Sequence, residues 1–192
     1  MRPQSILIML SGGVESSALL QFAVNNDYIV ECIHATWDNK TAYEHKQASK
    51  IAKEFDVPYS NIIINAEEFN SKDRPYKSVK DSPRWCSALL MTAPAGDYDE
   101  IWFGSFLGES APGATGPAGA EIILRSVGCN AKVCSPLYQM KKVDQWKMLQ
   151  PEIRSLVISC NRIRDEESFK RGPCGECEKC QEWKLHKIVK DA

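Results

Sequence analysis

The stretch that most constrains this chain is "SILIMLSGGVESSALL". Ser5 to Leu10 form a nearly continuous apolar, partly β-branched run, which reads as a strand buried on both faces. It stops at Ser11-Gly12-Gly13, after which Ala18, Leu19, Phe22 and Ala23 recur at helical spacing. A buried strand that turns on glycines into a helix is the first half of a βαβ unit. It commits the chain to a layered fold with a parallel sheet.

The rest of the chain continues that alternation. "YIVECIHAT" reads as a second strand, and "AYEHKQASKIAKEF" as a helix with Ala48, Ile51, Ala52 and Phe55 on one face. "NIIIN" is a short third strand, "CSALLMTAPA" a helix up to Pro94, "EIWFGSF" a fourth strand and "AKVCSPL" a fifth. "KKVDQWKML" is a helix that stops before Pro151, and "SLVIS" a last short extended piece. "GESAPGATGPAGAE" is rich in Gly, Pro and Ala and reads as a loop able to act as a mobile lid. The predicted fold class is α/β: a doubly wound, mostly parallel five-stranded sheet with helices on both faces. Such sheets bind ligands at the carboxyl ends of their strands, where the strand order reverses. The turn at Ser11 lies at that end. No boundary appears before about Cys160, so residues 1–159 are expected to form the main domain and residues 160–192 a small module packed on it.

Composition narrows the function classes. A chain of 192 residues, 43% hydrophobic and 26% charged, can bury a core unaided. With 24 basic and 25 acidic residues its net charge is −1, which argues against broad non-specific nucleic-acid binding and leaves room for a local basic groove. No segment reaches the ~18–20 apolar residues of a membrane span, and the run Ile6–Leu10 is too short for a signal-peptide core. The expected location is the cytoplasm, with no membrane partner.

"SGGVESS" carries the first candidate site. Glycines at 12 and 13 let the backbone approach an anion, and the open amides at the helix start attract phosphate. Ser11, Ser16 and Ser17 add hydroxyl donors, and Glu15 stands where the chain enters the helix. No Lys-Ser/Thr follows, so this is not a Walker loop, and the G-x-G-x-x-G spacing of dinucleotide sites is absent. The plainer alternative is a tight turn with serine capping.

The second candidate site is "CGECEKC". Cys174, Cys177 and Cys180 fall at steps of three, and a tetrahedral metal needs a fourth ligand. Cys160, across the charged stretch "NRIRDEESFKRGP", is the nearest candidate. Four cysteines would make a closed structural site, with zinc the default metal. An iron–sulfur cluster uses similar spacing, although the further x3-Cys-Pro of the bacterial ferredoxin run is absent. Redox-active or free thiols are the remaining reading.

Other residues carry weaker signals. His34, His45 and His186 have no metal-ligand spacing; His45 and His186 read as solvent-facing, and His34 lies in a strand near its active end. Cys86 reads either as a nucleophile or as a small residue at a helix start. Lys141, Lys142 and Lys147 share a helix, as a solvated face or with Lys142 reaching a phosphate. Trp183 and Leu185 read as packing the last helix against the cysteine module.

"SGGVES" resembles the Ser-Gly-Gly-x-Asp-Ser pyrophosphate loop of the N-type ATP pyrophosphatase (PP-loop) superfamily, with Glu15 in place of Asp. "ISCN" followed by "PCGECEKC" resembles the end of the QueC family, the 7-cyano-7-deazaguanine synthases. "SPLYQMKKVDQW" is similar to that family's Pro-Leu segment with Lys142 downstream; "EIWFGS" is similar to its Gly-ended strand, and Arg84 in "SPRWC" to an arginine before its third helix. Glu109 again replaces an Asp. The family's Tyr-Pro-Asp-Cys-Arg substrate segment is missing, with "APGATGPAGAE" in its place, "TWDNK" replaces its Tyr-Gly-Gln, and the Trp of its Trp-Ser-Cys-Tyr is absent. "RWC" also resembles a segment of the PAPS reductases.

The resemblance implies an adenine nucleotide alpha hydrolase-like fold with a C-terminal four-cysteine zinc module. It implies ATP and Mg²⁺, cleavage to AMP and pyrophosphate, and transfer of the adenylyl group to a small deazapurine-like carboxylate that ammonia then attacks. In the family a second ATP drives the amide to a nitrile, in queuosine biosynthesis. Leu10, Ser11, Gly12, Gly13, Val14, Glu15, Ser16 and Ser17, with Thr36, Arg84, Gly104 and Glu109, would bind the nucleotide. Ser11, Glu15, Ser16 and Lys142 would act in catalysis, and Cys160, Cys174, Cys177 and Cys180 would hold Zn²⁺. A homodimer is implied too. Three alternatives stay open: the same chemistry with a protein or other amine acceptor, sulfur transfer to tRNA, and a nucleotide-binding regulator without turnover.

Overall fold

A computed structural model describes residues 3–36, 39–63, 97–105, 117–126 and 128–186. Arg84, Cys86, Glu109 and the helix expected at "CSALLMTAPA" lie outside the described residues.

Strands β1 (Ser5–Met9), β2 (Ile29–Thr36), β3 (Tyr59–Ile63), β4 (Glu100–Phe103) and β5 (Lys132–Cys134) form one sheet in the order β3-β2-β1-β4-β5. Every pairing is parallel: Met9 lies opposite both Ile33 of β2 and Phe103 of β4, and Trp102 opposite Cys134. The order reverses at β1, because the chain builds outward to β3 and returns to the other side of β1 as β4. The carboxyl ends of β1 and β4 therefore flank the crevice where such sheets bind ligands.

Alternate residues of β1 supply two cores, as the pleat requires. Ile6 and Ile8 face a cluster with Leu19, Ala23, Ile51, Trp102, Trp146, Ile153 and Trp183. Leu7 faces the opposite cluster with Ile33, Ile101, Leu124 and Val133. Helices α1 (Val14–Asn25) and α2 (Asn39–Glu54) belong to the first layer, and α3 (Pro117–Ser126) covers the second face. Helix α3 corrects the expectation of a loop through "GPAGAE". Small residues suit a lid, but Ala120 and Leu124 sit one helical turn apart and both bury against β5 and its neighbours. Packing of that narrow apolar stripe outweighs the weak intrinsic propensity of the segment.

After β5 come four short helices, α4 (Lys142–Met148), α5 (Pro151–Leu156), α6 (Glu166–Arg171) and α7 (Glu178–Leu185). One expectation fails here. The β-branched residues of "SLVIS" favour an extended piece, yet Ser155 and Leu156 finish α5, and only from Val157 does the backbone straighten. Helix α6 lies within the charged stretch after Cys160 and buries none of its residues; Asp165 caps it, accepting the Ser168 N–H at 2.7 Å in a capping box. Gln21, buried on α1, fixes α1 to the α4–α5 junction: its amide donates to the Met148 carbonyl and its carbonyl accepts the Gln150 N–H at 2.8 Å. Among the described residues no helix is long and apolar enough to cross a membrane.

The end of β4 touches the start of α1 at Gly104. A Cβ there would lie 2.6 Å from the Ser16 nitrogen and 2.7 Å from the Glu15 Cβ, neither of which can move without shifting the helix. Gly104→Ala is expected to lower the unfolding free energy by about 1–3 kcal/mol through overpacking, read from urea titration. A loss under about 0.5 kcal/mol would mean that β4 and α1 part without strain.

Candidate functional site

The loop between β1 and α1 is shaped by Gly12, whose φ of +77° lies in the left-handed region that favours glycine. Gly13 is the N-cap, extended and without a side-chain cap, so the first amides of α1 have no capping hydroxyl or carboxylate from that position. The two serines brace the turn. Ser16 is buried; its Oγ lies 3.1 Å from the Ser11 Oγ and accepts the Ser11 N–H at 3.2 Å. The exposed Ser11 hydroxyl in turn accepts the Gly13 N–H at 3.3 Å. From below, Leu10 and Val14 are buried in the first core, and the His34 Nδ1–H donates to the Leu10 carbonyl at 2.9 Å. His34 thus props the loop.

Glu15 follows the N-cap on α1. Its carboxylate meets the Lys142 ammonium at 2.5 Å, and Lys142 meets Glu182 of α7 at 3.0 Å. Lys142 is 2% exposed and the two carboxylates 18% each. Glu182 also pairs with Lys179 at 3.1 Å. Burial alone would raise the Glu182 pKa, but the two ammonium groups outweigh it and hold the carboxyl below its ordinary value.

Glu15, Lys142 and Lys179 border one cleft of about 130 Å³. Its walls include Ser11, Gly13, Glu15 and Lys142 on the loop side, Glu44 of α2, and Ile158, Ser159, Cys160, Asn161 and Lys179 on the other. A loop of open amides facing a cation and acidic groups can hold a polyphosphate with its counter-ion.

Not every expected nucleotide contact opens onto that cleft. Ser17 is fully buried, and its hydroxyl finds no hydrogen-bond partner among the described residues. Helical rotation turns it toward the core while Ser16 faces the loop. Thr36 ends β2 and donates to the Asn61 side chain at 2.9 Å, away from the cleft lining. Gly104 acts through close packing on α1. Glu44, Ser159, Asn161, Lys179 and Glu182 join the site without a motif to mark them. Glu182 has one faint signal: it follows Cys180 by two positions on a short helix that its cysteines anchor.

The four cysteines do converge. The Sγ atoms of Cys160, Cys174, Cys177 and Cys180 all lie within 4.8 Å of one another, with 3.5 Å for Cys177–Cys180, 3.8 Å for Cys174–Cys180 and 3.9 Å for Cys160–Cys177. A tetrahedral ion with Zn–S bonds of about 2.3 Å has S···S edges of about 3.8 Å, so the donor set fits one metal ion. A cubane cluster would need its four sulfurs farther apart, each on a separate iron. Backbone amides serve the sulfurs as an outer layer: Asn161 N–H points at Cys177, Arg162 and Cys174 N–H at Cys160, and Cys177 N–H at Cys174, at 3.3–3.4 Å. The amides of Glu176 and Cys177 bring the Cys174 thiol down to about 6, while burial pushes Cys180 up to about 12.

The module is tied to the main body on two sides. Trp183 packs on Trp146 with ring centroids 5.1 Å apart. Tyr43 of α2 joins Ile158, Cys160, Ile163 and Cys180 in a third apolar cluster and donates to Glu166 at 3.1 Å.

With this geometry, the relatives can be placed. Residues 5–73 match the family described as "Queuosine biosynthesis protein QueC". No curated protein sequence matches the chain. Solved structures with a similar fold include NMN synthetase from Francisella tularensis, at TM-score 0.56 and 16% identity over 96% of this chain and 84% of that one. Another is the U34-tRNA thiolase NcsA from Methanococcus maripaludis with its [4Fe-4S] cluster, at 0.55 and 13% over 98% and 74%. A third is a 4-thiouridine synthetase bound to RNA and ATP, at 0.56 and 15% over 80% of this chain and 40% of that one.

The purified chain is expected to carry about one metal ion, and Cys177→Ser to lose it with a fall in Tm, read by metal analysis and thermal melting. A Cys177→Ser chain with full metal content would refute the four-sulfur site. The chain thus has the PP-loop fold, and residues 5–73 carry the resemblance to QueC.

Proposed function

We propose that this chain is an ATP-dependent C–N ligase of the QueC type. The observation that carries the reading is the "SGGVESS" loop at the reversal point of the sheet, inside the segment that matches QueC. In this reading the substrate carboxylate oxygen attacks the α-phosphorus of ATP. The bond to the β-phosphate oxygen breaks, and pyrophosphate leaves with the electron pair into the loop. Ammonia then attacks the acyl carbon, AMP departs, and a proton is lost to give the amide. The family's acid, 7-carboxy-7-deazaguanine, is the first candidate substrate, followed by dehydration to the nitrile with a second ATP.

The protein's part is positioning and charge. The amides following Gly13 and the Ser11 hydroxyl would hold the pyrophosphate. Lys142 would meet its growing negative charge, exchanging one carboxylate for a phosphate oxygen. Glu15 would then be released toward Mg²⁺, whose chemistry here is neutralisation of the phosphates. Ser16 would keep Ser11 and the turn in place. Arg84, Glu109 and Thr36 belong to this proposal on the strength of the resemblance. So do zinc as the occupant of the cysteine site, a cytoplasmic location and a homodimer.

Sulfur transfer to tRNA is the competing reading, since two proteins of similar fold are a 4-thiouridine synthetase and a U34-tRNA thiolase. It requires a reactive thiol. Among the described cysteines outside the four-sulfur group, burial raises the Cys32 thiol above its ordinary value and pushes Cys134 up to about 12, which disfavours the thiolate. The four-sulfur group itself is closed. The match of residues 5–73 to QueC favours the ligase.

Incubation with ATP, Mg²⁺, ammonium and 7-carboxy-7-deazaguanine is expected to give AMP and a product with the mass of the amide or nitrile. Glu15→Ala is expected to cut AMP formation by about 100-fold or more, and Glu15→Asp to retain most of it. AMP formed only when tRNA is added would favour sulfur transfer. No AMP under either condition would remove both enzyme readings.

A further inference from the structure

Two short paths, one closed by a hydrogen bond and one by ion pairs, join the cysteine site to the phosphate loop. The first runs from Cys160 back to Ile158, whose N–H donates to the Gly12 carbonyl at 2.9 Å. The second runs from Cys180 along α7 to Glu182, and through Lys142 to Glu15. Each path is two residues from a cysteine to the contact. Cys177 is the N-cap of α7 and Cys180 lies in its first turn, so a bound ion fixes the helix that presents Glu182.

We propose that metal occupancy of the four-cysteine site sets the affinity of the phosphate loop, with Glu182 as the positioning residue for Lys142. The inference rests on the ligase reading only in taking the loop as a pyrophosphate site. When an anion draws Lys142 away from Glu15, one carboxylate must remain to hold the ammonium at the cleft. Glu182 is that carboxylate: it is half-buried, paired with Lys142 at 3.0 Å and with Lys179 at 3.1 Å, and mounted on the helix whose N-cap and first turn carry two of the four cysteines. Without the ion, α7 keeps its Trp183 packing but loses two tethers at its N-terminal end. Lys142 then loses its fixed anchor. By linkage, pyrophosphate must retain the metal by the same factor that the metal tightens pyrophosphate.

The role can be separated from a simple field effect by the sign of one substitution. If Glu182 acted only through its charge, Glu182→Gln would remove repulsion and tighten anion binding. A positioning role has the opposite sign. Calorimetry on the zinc-loaded chain is expected to give magnesium pyrophosphate a Kd about tenfold weaker in Glu182→Gln, with zinc content unchanged and partial recovery in Glu182→Asp. Equal or tighter binding overturns the proposal. A measurement on the unaltered chain stands beside it: saturating magnesium pyrophosphate should slow zinc transfer to a chromogenic chelator by about tenfold. Zinc release indifferent to pyrophosphate overturns the coupling even if Glu182→Gln should fail to fold. The two readings fail differently. A zinc-loaded chain that binds no pyrophosphate removes both, whereas pyrophosphate binding that ignores the metal removes only this one.

Discussion

The ammonium of Lys142 is the point on which the site depends. It is almost fully buried between two carboxylates from opposite ends of the sequence, Glu15 and Glu182. Buried ion pairs contribute little net stability compared with apolar packing, but removing one partner leaves a stranded charge that costs roughly 3–5 kcal/mol. Such a pair specifies an arrangement more than it stabilises one. Here it specifies that α4, α7 and the start of α1 meet at one cleft. Gln21 makes the same junction from further along α1 with neutral hydrogen bonds, so α1 and α4 are registered twice.

The glutamate at position 15, where the loop it resembles has aspartate, gains a physical meaning from this geometry. A carboxylate at this place on α1 must satisfy a buried lysine when no anion is bound. The extra methylene gives the longer side chain the reach to do so from the second residue past Gly13. Glu15 is therefore a structural partner of Lys142 as well as a group facing the cleft. In the proposed reaction the two roles would alternate, because one carboxylate cannot neutralise the ammonium and serve a bound anion's counter-ion at once.

Much of the fold is legible in the sequence because its signals are local. The β1 run, the glycine turn and the apolar spacing of α1 and α2 each announce themselves within a short window, and buried parallel strands need no partner pattern to be recognised. The four-cysteine site is legible because thiolates at steps of three have few other uses. What escapes the sequence depends on tertiary context. Helix α3 has the composition of a loop and becomes a helix by burying Ala120 and Leu124. Ser17 has the chemistry of a phosphate ligand, and only the rotation of α1 turns it inward. Glu182 is one acid among many on charged helices, and nothing local marks it as the partner of the distant Lys142.

A four-cysteine cluster beside the cleft at the β1–α1 loop answers what the C-terminal segment cannot do alone. With helices of six and eight residues, it cannot bury enough apolar surface to fix its own geometry. Trp183 and Tyr43 anchor it to the main core at two places, and the Tyr43 cluster takes in Cys180 in the first turn of α7. Four sulfurs on one ion would supply that missing constraint, since they join the segment after α5 to both ends of the turn that precedes α7. The ion's contribution would then be rigidity at one wall of the cleft rather than chemistry within it. That also fits a site with all four positions filled by the protein.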